Sequence, residues 1–276
     1  MKISSLKITK HEFKHTYKYK IIQKALSFIS DIFIKSIPKG IKKIYISAFG
    51  DLNLLPLHAI TTDDGSYLIE QYEIVYIPFI SIIDKLNKKN NIKKNVLISA
   101  DTKQFKEKNN LHDEAISCSK ILGTKPHHNI DTKAFKALVH HQQYNTLHLS
   151  THGVSDLNNP LNSCLIFKNT KLSLLEIYGL KLDVNLLVLS ACETNLSKLK
   201  GADEILAFER AFLIAGAKNI ITTFATVDIE RTKDFMEVFY TKMNTNNSLS
   251  HTFQQTCIAD IKAKSNEWML FRFTGI

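Results

Sequence analysis

The sequence predicts an α/β fold with a mostly parallel central sheet flanked by helices, and three observations predict it. Short runs of β-branched, leucine and aromatic residues recur along the chain, and stretches of helical periodicity separate several of them. Two runs in the second half, around Leu147 and Leu187, are apolar enough to be covered on both faces, as parallel strands are. With 276 residues, 44% hydrophobic and 22% charged, the chain can bury a core of one large domain or two small ones.

From Tyr17 to Ile37 the residues Ile21, Ile22, Ala25, Leu26, Ile29, Ile32 and Phe33 recur at three- and four-residue intervals, which predicts one amphipathic helix ended by Pro38 and Gly40. Strands are expected at Ile44 to Phe49, Tyr72 to Ile77, Val96 to Ala100, Thr146 to Thr151, Cys164 to Phe167, Leu186 to Ala191, Asn219 to Phe224 and Trp268 to Phe273. Helices are expected near Asp113 to Leu122, Thr132 to His141 and Ala202 to Ala215, the last stopped by Gly216 as a C-cap. Residues 1–92 read as a smaller N-terminal portion and 93–276 as the portion that carries the chemistry.

The four cysteines, Cys118, Cys164, Cys192 and Cys257, form no CxxC pair, so zinc-ribbon and thioredoxin-type readings lack support and a reducing compartment fits. No run approaches the ~18 apolar residues of a membrane helix, and the chain reads as cytoplasmic. Of the net charge of +10, residues 1–43 hold +9, from eleven lysines against Glu12 and Asp31. Such a segment could dock an acidic protein, but arginine is scarce and no reading motif accompanies the charge, so nucleic acid is not the expected partner. GxGxxG, Walker A, HExxH and GxSxG are all absent, and no third ligand joins His148 and His152 at metal spacing. Neither a metal nor a cofactor is expected.

Two places put a reactive side chain just after an apolar strand. One is Leu147-His148-Leu149-Ser150-Thr151-His152-Gly153, and the other Leu187-Val188-Leu189-Ser190-Ala191-Cys192-Glu193-Thr194. In a parallel sheet both ends lie on one rim, where ligands and chemistry sit. If the strands are neighbours, His152 and Cys192 face each other, and an imidazole beside a thiol suits nucleophilic acyl transfer. The N–H groups of Gly153 and Cys192 would be available to an oxyanion. Taken singly, such a histidine is more often a hydrogen-bonded rim residue and such a cysteine more often a small buried hydrophobe.

Along nearly its whole length the chain resembles the CHAT-domain peptidases, relatives of caspases and separase among the caspase-like cysteine proteases. The resemblance runs in order through Gly50 to Ile60, Tyr67 to Pro78, Leu147 to Gly153, Leu187 to Thr194, Arg210 to Ala217, and Trp268 with Gly275. It implies a caspase-like three-layer fold in which His152 is the general base, Cys192 the nucleophile, and the Gly153 and Cys192 N–H groups the oxyanion hole. It implies further a regulated endopeptidase that cleaves a specific protein in bacterial defence or cell death, with a separate activator or sensor protein. The same resemblance offers Asp228 as the residue that reads a basic side chain before the scissile bond. The family's tryptophan near this segment is absent, with Ala225 in its place, and Asp228 reads equally as a helix N-cap. The rival reading is a catalytically silent module of the same fold that acts as a binding scaffold.

Overall fold

A computed structural model of the chain describes residues 10–80, 82, 96–100, 110–141, 144–154, 156, 159–190, 201–224, 227–246 and 248–276. The N-terminal helical stripe forms two helices, α1 (Lys10–Ser27) and α2 (Ser30–Lys35), where the periodicity predicts one. The last turn of α1 tightens as Phe28 and Ile29 N–H groups reach back three residues to Ala25 and Leu26, which re-aims the stripe. Leu26 is buried and Ile22, Ile29 and Phe33 pack on the core, whereas Ile21 and Ile32 are exposed.

The chain continues through β1 (Lys43–Ile46), α3 (Leu68–Gln71), β2 (Glu73–Tyr76), β3 (Val96–Ala100), α4 (Asn110–Leu122), β4 (His127–His128), α5 (Thr132–His141) and β5 (Thr146–Ser150). Then follow β6 (Gly153–Val154), β7 (Cys164–Phe167), β8 (Thr170–Ser173), α6 (Leu174–Tyr178) and β9 (Val184–Leu189). The last elements are α7 (Gly201–Ala215), β10 (Ala217–Thr223), α8 (Ile229–Met243), α9 (Leu249–Lys262) and β11 (Phe271–Thr274).

Eight strands form one sheet in the order β1-β2-β11-β10-β9-β5-β3-β4. Neighbours are parallel throughout except for β10 with β11. Strand direction therefore reverses once, between β11 and β10, and β5, β9 and β10 share one carboxyl rim. The predicted strand Cys164–Phe167 lies outside this sheet, in a small antiparallel one of order β6-β7-β8. The run expected as a strand from Trp268 begins with a 3-10 turn over Glu267–Leu270 and becomes extended only at Phe271.

The period of two along β9 divides the core. Leu186 and Val188 join the layer that holds Phe235, Met236, Phe239 and Tyr240 of α8 with Phe253 and Cys257 of α9. Leu187 and Leu189 face the opposite layer, with Leu147, Leu149, Phe135, and Phe208 and Phe212 of α7. Phe235 stacks on Phe271 at 3.8 Å and 4°, a contact through which α8 is held on the sheet. Truncating a ring so buried costs roughly 3–5 kcal/mol.

Gly216 is the predicted C-cap of α7, and its N–H bonds Phe212 O at 3.1 Å. Its φ is +117°, and a Cβ would stand 1.9 Å from Leu182 O, so only glycine passes here. This tight turn lets α7 run directly into β10.

Candidate active site

Strands β5 and β9 are neighbours, parallel, with Leu147 paired to Leu187 and Leu149 to Leu189. The Ser190 N–H donates to Leu149 O at 3.1 Å, so the pairing persists to the end of β9. His152 stands two residues beyond β5 and is 5% exposed. Its carbonyl accepts from the Ile166 N–H at 2.8 Å, and the Thr151 hydroxyl donates to Ile166 O, so β7 holds the segment that carries the imidazole.

Gly153 pairs with Leu165 across β6 and β7. The Ile166 to His152 bond makes this the kind of antiparallel pair whose two members exchange no hydrogen bond, so the Gly153 N–H points away from β7. A Cβ here would meet nothing within 4 Å, and Gly153 has no left-handed φ. The chain thus leaves β5 at Gly153 in a conformation that other residues also adopt.

Cys192, with its N–H, Glu193, Thr194 and the following residues to 200, lies outside the described residues, as do Ala225 and Thr226. The other three cysteines are buried. Burial, with help from the negative charges of Glu114 and Glu237, pushes the Cys118 thiol up. Burial likewise raises Cys164 and, well above its ordinary value, Cys257. Thiols in such surroundings are inert.

Asp228 is the N-cap of α8, its Oδ1 accepting from the N–H groups of Glu230 at 3.0 Å and Arg231 at 3.2 Å. Just before that segment, Phe224 stacks on the buried His58 at 5.9 Å and lies 5.3 Å from the Arg272 guanidinium. Arg272 in turn lies 4.1 Å over the Tyr76 ring and 3.4 Å from Glu209 Oε2, both partners buried. An aromatic ring therefore does fill the core beside this segment, one residue before the position of the family's tryptophan.

A polar cluster missed by the sequence reading lies under the ends of β5 and β9. Glu114 of α4, His148 and Ser150 of β5, Ser190 and Tyr240 of α8 join in it. His148 was visible as part of a motif, but nothing in the sequence singles out Glu114, a carboxylate in an otherwise ordinary amphipathic helix. Among the described residues no group of three His, Cys, Asp or Glu side chains is placed to hold a metal ion. Among them, too, no helix is long and apolar enough to cross a membrane.

The CHAT domain family matches over residues 23–268. No curated protein matches the sequence. Two crystal structures of the Saccharomyces cerevisiae separase–securin complex are similar in fold, with TM-scores of 0.57 and 0.59 at 15% and 14% identity. The likeness covers 86% and 87% of this chain but 15% and 16% of the separase-complex chain it matches, so the chain spans a small part of that protein.

Proposed function

Because this chain belongs to the CHAT domain family, with the mostly parallel, helix-flanked sheet of a caspase-like protease fold, we propose that it is a cysteine endopeptidase. Its reacting pair is His152 and Cys192. The observation that carries this reading is the β5–β9 register: Leu149 pairs with Leu189, and His152 and Cys192 each follow that pair by three positions in the sequence. In the reaction His152 takes the proton of the Cys192 thiol, and the thiolate attacks the scissile carbonyl carbon. The N–H groups of Gly153 and Cys192 receive the oxyanion, a role that the outward-pointing Gly153 N–H suits. His152 then gives its proton to the departing amine, and water hydrolyses the thioester.

The substrate is a specific protein, cut after a basic residue that Asp228 reads, and a separate activator or sensor protein controls the cut in a bacterial defence or cell-death system. The position of Asp228 on the segment that follows β10 supports its part in this reading, since β10 borders β9 on the same rim. Residues 93–276 carry the catalysis and 1–92 support it, in the cytoplasm.

The test is a positional-scanning fluorogenic peptide library, given to the wild type and to Cys192→Ala and His152→Ala, with lysate as a source of activator. Turnover confined to Arg or Lys before the cut and reduced more than about a thousandfold in both variants is expected. Wild-type turnover in either variant would remove the dyad. A peptide electrophile that labels none of the cysteines would favour the silent scaffold, since the three buried thiols are inert and only an activated Cys192 should react.

A further inference from the structure

Glu114 is wholly buried, yet it faces groups that sit at the two strand ends. Its Oε2 accepts from the Ser190 hydroxyl at 2.8 Å and from the Ser150 hydroxyl at 3.2 Å. Its Oε1 is 3.2 Å from Nε2 of His148 without an aligned hydrogen bond. Ser150 and Ser190 each stand two residues before His152 and Cys192. One carboxylate therefore ties together the two backbone segments from which the reacting pair departs.

The donors of the cluster run one way. Burial first, then the Glu114 charge, raises the Tyr240 hydroxyl well above its ordinary value, so it keeps its proton and can donate to Nδ1 of His148, 2.8 Å away. That assigns the remaining imidazole proton to Nε2, which donates to Ser150 Oγ at 3.0 Å, and Ser150 donates onward to Glu114. A buried carboxylate costs several kcal/mol unless its oxygens are met by donors, and here hydroxyls from both strand ends meet it where apolar side chains could stand.

We infer that Glu114 is a positioning residue for the reacting pair, clamping the ends of β5 and β9 and holding a buried negative charge against Ser150 and Ser190, each two residues before a member of that pair. The inference rests on the reading of those two residues as the pair. Besides His148 of β5 and Tyr240 of α8, the titratable and charged groups around Glu114 are Cys118 on its own helix and, beyond Cys118, Lys233 and Glu237 of α8. A negative charge raises the proton affinity of a thiol or an imidazole near it.

The experiment reads the pH dependence of Cys192 alkylation by iodoacetamide, located by peptide mass mapping, in the full chain and with thermal melting recorded alongside. It needs no turnover, so it is independent of whether a substrate is found. Glu114→Gln is expected to melt cooperatively and to lower the alkylation midpoint by about 1 pH unit, because a unit charge near the thiol is gone. Ser190→Ala is expected to move it the opposite way, by about 0.3 unit, since the carboxylate loses a donor dipole that offsets its field. A Glu114→Gln midpoint equal to that of the wild type, or an even slowing at every pH, would overturn the inference. Should Glu114→Gln not fold, an unmoved midpoint in Ser190→Ala overturns it instead. His152→Ala tells the two ideas apart: an unmoved Cys192 midpoint there sinks the dyad, whereas an unmoved midpoint in Glu114→Gln sinks only the role given to Glu114.

Discussion

His58 shows how one buried side chain sets a property of the whole fold. It is fully buried, 2.9 Å from the Tyr76 hydroxyl and stacked on Phe224. Burial lowers its pKa to about 3, the Arg272 charge acts in the same direction, and a backbone bond at Trp268 opposes them. An unfolded histidine takes up a proton near pH 6.5, so between about pH 6.5 and 3 the unfolded chain binds a proton that the folded chain refuses. Stability contributed by His58 is complete above 6.5 and is lost as pH falls through that window, at about 1.4 kcal/mol per pH unit. Urea melts of the wild type and His58→Gln at pH 7, 6 and 5 check this, and the variant should show a shallower decline. At this scale the sequence named His152, Gly153, Cys192 and Asp228 through their motifs. It could not name Glu114 or His58, because a residue's burial and partners depend on elements far away in the chain.

At the scale of elements, α8 and α9 bear most on reading a sequence. Asp228 opens α8 as its N-cap, a role that asparagine also fills well. Asp228→Ala is expected to cost about 1 kcal/mol in a denaturant melt, whereas Asp228→Asn should cost almost nothing. If Asp228 also reads a basic side chain, Asp228→Asn should lose the preference for Arg or Lys in the peptide library while it keeps the stability. Equal preference in both proteins would leave the residue with capping alone. Helix α9 escaped the periodicity reading because its buried face carries Ser250, Thr252, Gln254 and Thr256. The fold tolerates them there because the Thr252 and Thr256 hydroxyls bond carbonyls four residues earlier, and Gln254 donates to Ile69 O. Apolar spacing alone misses a helix whose core-facing polar groups are satisfied by its own backbone and by neighbouring elements. Strand β9 was legible for the opposite reason, since both its faces are covered and it reads as a nearly continuous apolar run.

For the whole molecule the decisive element is β11. It lies between β2 and β10 and is the only described strand that bonds both, antiparallel to one and parallel to the other. Its Arg272 reaches Asn53 O at 3.3 Å and Glu209 at 3.4 Å, and Phe271 and Phe273 fill the core on the α8 and α9 side. Deleting residues 271–276 would remove an interior strand and leave β2 and β10 with unpaired edges, so the truncated chain is expected to lose its cooperative thermal transition. A chain that still melts cooperatively near the wild-type temperature would show that β11 is dispensable. The closing motif with Trp268 is visible in the sequence, but its place at the middle of the sheet is not.

The sequence by itself determined the α/β class, the strands that lead up to the His152 and Cys192 motifs, the glycine turn after α7, and, through six ordered motifs, the family. These follow from local chemistry: periodicity, turn residues and short strings fix the backbone over a few residues at a time. Tertiary structure alone decided that β5 and β9 are neighbours in a register that sets the two motifs level, and that strand direction reverses at β11. It also decided that a carboxylate from α4 lies beneath the rim. Strand pairing joins residues separated by dozens of positions, and its outcome depends on which faces can be buried together, a property of the assembled layers that no short stretch of chain encodes.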